Sequence, residues 1–596
     1  RDILELRRSS RADLYDLLQD APAVLVPRRW RFEVTERIDA QGEVVTPLAE
    51  DELPGLIDAI RAAGLETVAV SFLFSFLNDA HERRVGEALR AALPGVGVYL
   101  SSEVLPEIRE FERASTTAVC AVVGPVLASY LDRLQSAVTQ LGLPRLHVMG
   151  SSGGVFDIAE GLRMPAMAVE SGPAAGVIAA ALAGRQLAMP NLISFDMGGT
   201  TAKASVIANG EVAMTAEYEV GGSGHANRWM HGTGHPIRVP VIDLAEVSAG
   251  GGSIAWIDPG GALKVGPQSA GAAPGPACYG TGGTLPTVTD ADVVLGHLDR
   301  EALLGGALRV DLAAAECAID AAIARPLGLS VREAADRIVE VVNANMAQAL
   351  RIVSIERGHD PQEFGLIAFG GAGPVHAVAL AEELSIPVVI VPPAPGAFSA
   401  LGLVATDLKR DWSRTLYADL GSMDPERVAE VFAGMEQAGR EMLRSARVPP
   451  ERQQLLRQAD VRYRRQAYEL TVPIADGDTL DDVAAAFHAK HEQTYGHANP
   501  AERLQLVNLR LTALGRLPSL ALAQRADPAS RRTGERTAWF RDGGFTATPV
   551  HWRDGLMPGV EIAGPAIIEA MDSTTVVPPG WQACVDTLGY IRLTRG

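Results

Sequence analysis

Between residues 331 and 357 the apolar side chains of Ile338, Val341, Val342, Met346, Ala349, Ile352 and Val353 recur at helical spacing, which predicts one buried helix closed by Gly358. A second long helix is expected over 107–134. Nearer the start, apolar stretches such as 66–76 alternate with amphipathic ones such as 81–93, so residues 1–145 read as α/β. The character changes at residue 146. Glycine clusters at Gly153 and Gly154, Gly198 and Gly199, Gly250 to Gly252, Gly260 and Gly261, and Gly282 and Gly283 separate β-rich segments, the pattern of hairpins and backbone-lined loops. A strand, a glycine turn and a helix are expected over 366–384. Beyond residue 408 the pattern predicts a helix at 424–446, one alternating strand at 460–474, a helix near 480–495 and a strand-rich stretch at 535–596.

Charge and composition narrow the functional classes. Acidic residues outnumber basic ones 72 to 53, a net charge of −19 with a pI near 5.2. That balance argues against a nucleic-acid surface, because phosphate backbones are bound by clustered Lys and Arg. At 596 residues several folding units are needed, since single cores stop growing near ~250–300 residues. Cys120, Cys278, Cys317 and Cys584 stand far apart with no CxxC pair, which fits a reducing cytoplasm better than a disulfide or zinc scaffold. The charge-free run 386–405 is long enough to span a bilayer, but Pro387, Pro392, Pro393 and Pro395 would break a helix there, so strand and loop are expected. The sequence opens RDILELRRSS, with neither a starting methionine nor a signal pattern, and reads as a fragment.

The candidate chemistry lies in the glycine loops. In LISFDMGGTTAKASVI (192–207) an apolar strand delivers Asp196, turns through Gly198 and Gly199, and leaves along a second strand. Two glycines followed by Thr200 and Thr201 offer N–H and hydroxyl donors to a phosphate, with Asp196 placed to orient a hydrated Mg²⁺ or an attacking water. A tight hairpin whose Asp and Thr merely cap the turn is the alternative. In LIAFGGAGPVHA (366–377) a strand runs into glycines and then a helix whose first turn holds Pro374, an anion-binding geometry. Two such loops suggest a nucleotide held between two lobes. Asp243 and the run 248–253 read either as an anion nest or as a tight bend. Asp290 and Asp292, taken as two carboxylates at a strand end, would point the same way and share Mg²⁺ or polarise an amide, unless Asp290 caps the next helix. Glu170, before Ser171, Gly172 and Pro173, is a weaker carboxylate candidate. His376 is read as a cap, a packing residue or a proton carrier. His225, His231 and His235 read as loop histidines rather than ligands, and His488, His491 and His497 as a polar face.

These two loops, with AGGGSIAWID (249–258), VGPQSAGAAPGPACYGTGGTLPTVTDAD (265–292) and GPAIIEAMDSTTVVPPGW (564–581), resemble the hydantoinase A/5-oxoprolinase family. RDILELRRSSRADLYDL, SSEVLPEIREFERASTT (101–117), MGSSGG and ESGPAAG extend the resemblance across the chain. It implies an α/β fold of two actin-like, sugar-kinase-like ATPase lobes, the first truncated at its N-terminus, followed by a C-terminal α+β domain. The corresponding segments are an incomplete N-terminal lobe at 1–145, a nucleotide-binding core at 146–407 and the last domain at 408–596. ATP and Mg²⁺ are the implied cofactors: Asp196, Gly198, Gly199, Thr200 and Thr201 as a second phosphate loop, and Gly370, Gly371, Ala372 and Gly373 on the adenosine side. Asp196, Asp290 and His376 stand as candidate catalytic groups, with Asp196 and Asp292 as Mg²⁺ ligands. The family's first phosphate hairpin is absent from this sequence, so the chain as it stands is expected to bind ATP poorly. Cys120 and Ser152 stand where relatives carry Asn, and His235 where they carry Tyr. The implied function is that of an A-type subunit of an ATP-dependent cyclic amide hydrolase, acting on a hydantoin or 5-oxoproline and assembled with a B-type subunit. The alternatives are the beta-type subunit of an ATP-dependent ketone carboxylase, or a non-catalytic nucleotide-binding assembly subunit.

Overall fold

A computed structural model describes the whole chain except residues 1, 10–14, 17, 19, 144–145, 216–217, 222–232, 518–532 and 542. The fold is mixed α/β, built on a nine-stranded sheet. Eight of its strands are β1 (Leu192–Met197), β2 (Ala202–Ala208), β3 (Ala245–Val247), β4 (Gly365–Phe369), β5 (Val388–Val391), β6 (Glu561–Ala563), β7 (Trp581–Val585) and β8 (Ile591–Arg595). Their spatial order is β3-β2-β1-β4-β5-β8-β7-β6, and the short strand Glu211–Val212 pairs with β2. Strands β1, β4 and β5 are parallel, and every other pairing is antiparallel. The parallel centre is apolar on both faces, as burial under two helical layers requires.

Helix α1 is Glu110–Gln140, and the helices that matter for the site are α2 (Ser171–Gln186), α3 (Val288–Leu295), α4 (Val331–Val353), α5 (Gly373–Leu384) and α6 (Phe398–Ala405). Alternation along β1 assigns its faces. Ile193, Phe195 and Met197 enter the core shared with α3, α4 and α5, whereas Leu192 enters the core shared with α2 and Phe398 of α6. Asp196 is in phase with Leu192, so it faces α2 and α6. The expected helix over 331–357 is α4 followed by a 3₁₀ turn, with a Ser330–Glu333 capping box at its start and Gly358 at φ +81° at its end. The run 386–405 forms β5, a proline turn and α6.

A six-stranded sheet lies beside this core in the order 470–474, 453–463, 504–515, 408–419, 155–157, 147–149. It packs against the helices Pro425–Ser445 and Leu480–Tyr495. The single alternating strand expected at 460–474 is instead a hairpin of Gln453–Tyr463 and Leu470–Ile474, because alternation persists across the connecting turn. The third sheet has four strands, 533–540, 544–552, 566–569 and 574–577. Residues after 408 therefore supply four of the six strands of the second sheet and all of the third, and also return, through β6, β7 and β8, to the first.

Candidate functional site

The site is built where β1 and β4 end. They are parallel neighbours with Asp196 in register with Phe369, so the loops that follow them leave from the same edge, the carboxyl end at which open α/β sheets present loops to ligands. In the loop after β1, Gly198 N–H closes the turn on Thr201 O at 3.1 Å. The N–H groups of Gly199, Thr200 and Thr201 meet no protein acceptor among the described residues. A Cβ added at Gly198 or Gly199 would find nothing within 4 Å. Asp196 accepts a hydrogen bond from Ser399 Oγ at 3.4 Å. Burial pushes its carboxyl above the ordinary aspartate range, while Lys203 and Ser399 pull it back.

The loop after β4 is braced on the first. Gly370 has φ +81°, and a Cβ there would strike Met197 O and lie 2.6 Å from Asp196 Oδ1, so only glycine fits. Gly370 N–H bonds Pro395 O at 2.9 Å and Ala372 N–H bonds Met197 O at 3.1 Å, while Gly371 N–H has no protein acceptor among the described residues. Gly373 opens α5 with Pro374 in its first turn. Donors from both loops border a cleft of about 630 Å³, whose wall includes Gly198, Gly199, Gly371, Ala372, Asp292 and Asp572.

The third glycine cluster is not an anion nest. Gly250 N–H bonds Ser253 Oγ at 2.8 Å, Gly251 N–H bonds Gly198 O at 3.0 Å and Gly252 N–H bonds Gly199 O at 2.6 Å. All three donors are occupied, and the cluster serves as a backbone brace under the turn at 198–201. Asp243 is paired with Arg357 at 2.6 Å.

Asp290 and Asp292 lie on helix α3, not at a strand end. Residues two apart on a helix point about 200° apart, so they share no ligand. Asp290 completes a capping box with Thr287, accepting from Thr287 N–H and Oγ1 at 2.8 Å each, Cys278 N–H at 2.7 Å and Ala277 N–H at 3.2 Å. With four donors on a fully buried carboxylate it is a structural residue rather than a catalytic one. Asp292 reaches the cleft wall between His376 Nε2 at 3.5 Å and His297 Nδ1 at 3.6 Å. Burial alone would raise its pKa, but the two histidines outweigh it and hold the carboxyl below the ordinary range. His376 itself is 1% exposed, with Nδ1 2.9 Å from Asn343 Oδ1. Its position is that of a packed residue inside α5.

Of the remaining candidates, Glu170 sits just before α2 in ion-pair contact with Lys203. His235 lies on strand His235–Ile237, whereas His225 and His231 fall outside the described residues. Of the expected polar face, His497 is exposed and His488 half-buried, but His491 is 1% exposed and stacks among Tyr463, Phe487 and Tyr495. Two residues of the site escaped the sequence reading, Asp572 in the cleft wall and His297 beside Asp292. His297 had no motif around it. Asp572 had one, the segment 564–581, and in the structure its carboxylate accepts from Gly396 N–H at 2.9 Å.

The donor set fits a nucleotide phosphate, since free backbone N–H groups beside unfilled glycine surface admit close approach of an anion. Mg²⁺ in such sites keeps most of its waters and is held by one or two carboxylates together with phosphate oxygens. Asp196 fits that role. Asp292, clasped by two histidines on the other helical layer, does not, and among the described residues no three His, Cys, Asp or Glu side chains converge as a ligand set.

Comparison with known proteins agrees with this architecture. Three family models match in succession: Hydantoinase/oxoprolinase N-terminal region at residues 1–93, Hydantoinase/oxoprolinase at 113–412, and Hydantoinase/oxoprolinase C-terminal domain at 422–595. An uncharacterised protein of Methanocaldococcus jannaschii is 43% identical over 100% of this chain and 87% of its own length. Caprolactamase subunit alpha of Pseudomonas jessenii is 35% identical over 100% of this chain and 86% of its own. The crystal structure of the ATP-dependent caprolactamase from that organism superposes with a TM-score of 0.83 at 34% identity, covering 100% of this chain and 86% of that one. Nucleotide-free acetone carboxylase superposes with a TM-score of 0.76 at 27% identity, covering 96% and 82%. With matching models along nearly its whole length and relatives aligned end to end, the chain belongs to the hydantoinase/oxoprolinase family.

Proposed function

We propose that this chain is the nucleotide-binding subunit of an ATP-dependent enzyme that opens cyclic amides. The observation that carries the reading is the convergence of two glycine loops, with unoccupied N–H donors, at the shared edge of β1 and β4. Similarity to an ATP-dependent caprolactamase supports the substrate class. An amide is a poor electrophile, and ATP would supply the phosphoryl group that activates its oxygen. The chain's own part is positional and electrostatic. The N–H groups of Gly199, Thr200, Thr201 and Gly371 hold phosphate oxygens, and Asp196 orients the hydrated cation. Asp292 lines the cleft wall, with His376 packed behind it. Two actin-like lobes clamping the nucleotide, with hydrolysis completed by a B-type partner in a hetero-oligomer, complete the proposal.

The likeness to acetone carboxylase favours a second reading, in which the activated oxygen is that of a ketone enol. The test is ADP release by the intact protein and its partner, on addition of a hydantoin, 5-oxoproline or caprolactam, against acetone with bicarbonate. Amide-dependent ADP release is the expected result. Release only with ketone and bicarbonate moves the assignment to the carboxylase reading, and release with neither rejects both.

A further inference from the structure

The face of the sheet that holds Asp196 carries a second polar group of residues. Asp196 and Lys203 are cross-strand partners on β1 and β2, and Glu246 on β3 is the partner of Lys203 on the other side. Directly opposed residues project to the same face, so the three stand in a row beneath the phosphate turn. Lys203 Nζ lies 3.0 Å from Glu170 Oε2 and 3.7 Å from Glu246 Oε1. The side chains of Lys203, Glu170 and Glu246 are 18%, 25% and 26% exposed, so a ligand can reach them.

Glu170 is held there against its own backbone preference. It has φ 59° and ψ 22°, a left-handed conformation, at the entry to α2. A non-glycine residue keeps that conformation only where its surroundings impose it, and such residues cluster at functional sites. Glycine would meet the backbone demand with less strain, so a reason for glutamate has to lie in its carboxylate. The hydroxyl of Tyr218 hydrogen-bonds that carboxylate as well, fixing it beside the ammonium.

An acceptor and a donor 3.0 Å apart match one edge of a small-ring amide. The ring forces the amide cis, so its N–H and C=O project side by side, whereas an open-chain trans amide projects them in opposite directions. We propose that Glu170 accepts the ring N–H and Lys203 donates to the ring carbonyl oxygen, making this pair the reader of cyclic secondary amides. The proposal rests on the cyclic-amide reading above. Because Lys203 follows the turn by two residues, a carbonyl oxygen held there is next to the phosphate-binding groups. Glu246 and Asp196 flank the ammonium without bonding it as closely as Glu170 does. Ketones and N-alkylated lactams lack the N–H, so they keep only the Lys203 contact and forgo the bond to Glu170.

The test is calorimetric affinity of the intact protein for 2-piperidone and for N-methyl-2-piperidone, with and without the non-hydrolysable analogue AMP-PNP and Mg²⁺. Wild type is expected to prefer the N–H lactam by about tenfold or more. Glu170→Gly relieves the left-handed backbone, so it should keep its Tm and AMP-PNP affinity while the preference collapses toward equality. Lys203→Met should weaken both lactams alike, since the carbonyl contact is common to them, and Lys203→Arg should restore part of the loss. Equal wild-type affinities, an unchanged ratio in Glu170→Gly, or no lactam binding overturns the proposal. Failure of the nucleotide reading shows separately, as absent AMP-PNP binding in wild type, and leaves the lactam ratio measurable.

Discussion

The glycines at 198–199 and at 250–252 touch each other and have nearly the same local composition, but their backbones end in opposite states. At Gly199, Thr200 and Thr201 the N–H groups lack protein acceptors among the described residues, and the space a Cβ would take on Gly198 or Gly199 is open. At Gly250, Gly251 and Gly252 every N–H is bonded, and an added Cβ on Gly250 would come within 2.6 Å of Thr200 N. Glycine density shows that a backbone comes close to something. Whether that something is a ligand or another segment of the same protein depends on where the acceptors are. One cluster leaves its donors open, which is the surface the proposed function uses, and the other supports it.

Substitutions separate the two roles. The largest effect is expected from Asp196→Asn, which should lower ATP turnover by about two to three orders of magnitude with the fold intact by circular dichroism; unchanged turnover would break the comparison outright. Gly250→Ala should destabilise the protein by about 2–3 kcal/mol in chemical denaturation, because the intruding methyl meets backbone rather than a movable side chain. Gly199→Ala should leave stability within about 0.5 kcal/mol and weaken ATP by about tenfold in calorimetry. If the two glycine variants exchanged phenotypes, support and surface would have been misassigned. Ser253→Ala, which removes the acceptor of Gly250 N–H, should cost about 1 kcal/mol of stability.

The smallest effect is a pH signature in stability. Burial raises the Asp196 carboxyl above its ordinary value, so the folded state favours the protonated form. The stabilisation this gives is fully present below the unfolded-state pKa and is lost as pH rises through the folded-state pKa. At neutral pH the ionised Asp196 therefore opposes folding, and Asp196→Asn should melt slightly above wild type. The gap should close on acidification through that window. A variant that melts lower at pH 7 and higher in acid would reverse the sign.

Local signals were legible wherever the determinants were local. The periodicity of Ile338 to Val353 and the glycine at 358 locate α4, and the strand–glycine–helix pattern locates β4 and α5. Two errors came from patterns that continue past a structural boundary: alternation runs through the turn at 464–469, and the apolar run around Val288 hides a helix. The Thr287–Asp290 capping pair was the available sign of that helix. The state of the third glycine cluster could not be read, because two of its three hydrogen bonds go to Gly198 and Gly199, about 50 residues away in sequence. Asp572 sits in a hairpin turn inside the segment 564–581, and its bond from Gly396 N–H spans 176 residues of chain, a contact the local sequence does not signal.

Strand β8 has a consequence for how the molecule is made. Val388 to Val391 of β5 pair with Ile591 to Thr594, about 200 residues later in the chain. At synthesis rates of ~5–20 residues per second, roughly 10–40 s separate the two halves of that pairing. Through that interval β5, an apolar VVIV strand, waits as an open edge of the kind that pairs with other chains. Vectorial folding would complete the glycine loops on β1 and β4 well before the sheet beneath them is closed. The nascent chain is thus exposed to misassembly during the period when the loops after β1 and β4 already exist, and on the proposed function nucleotide held by those loops would favour the correct sheet before β8 arrives.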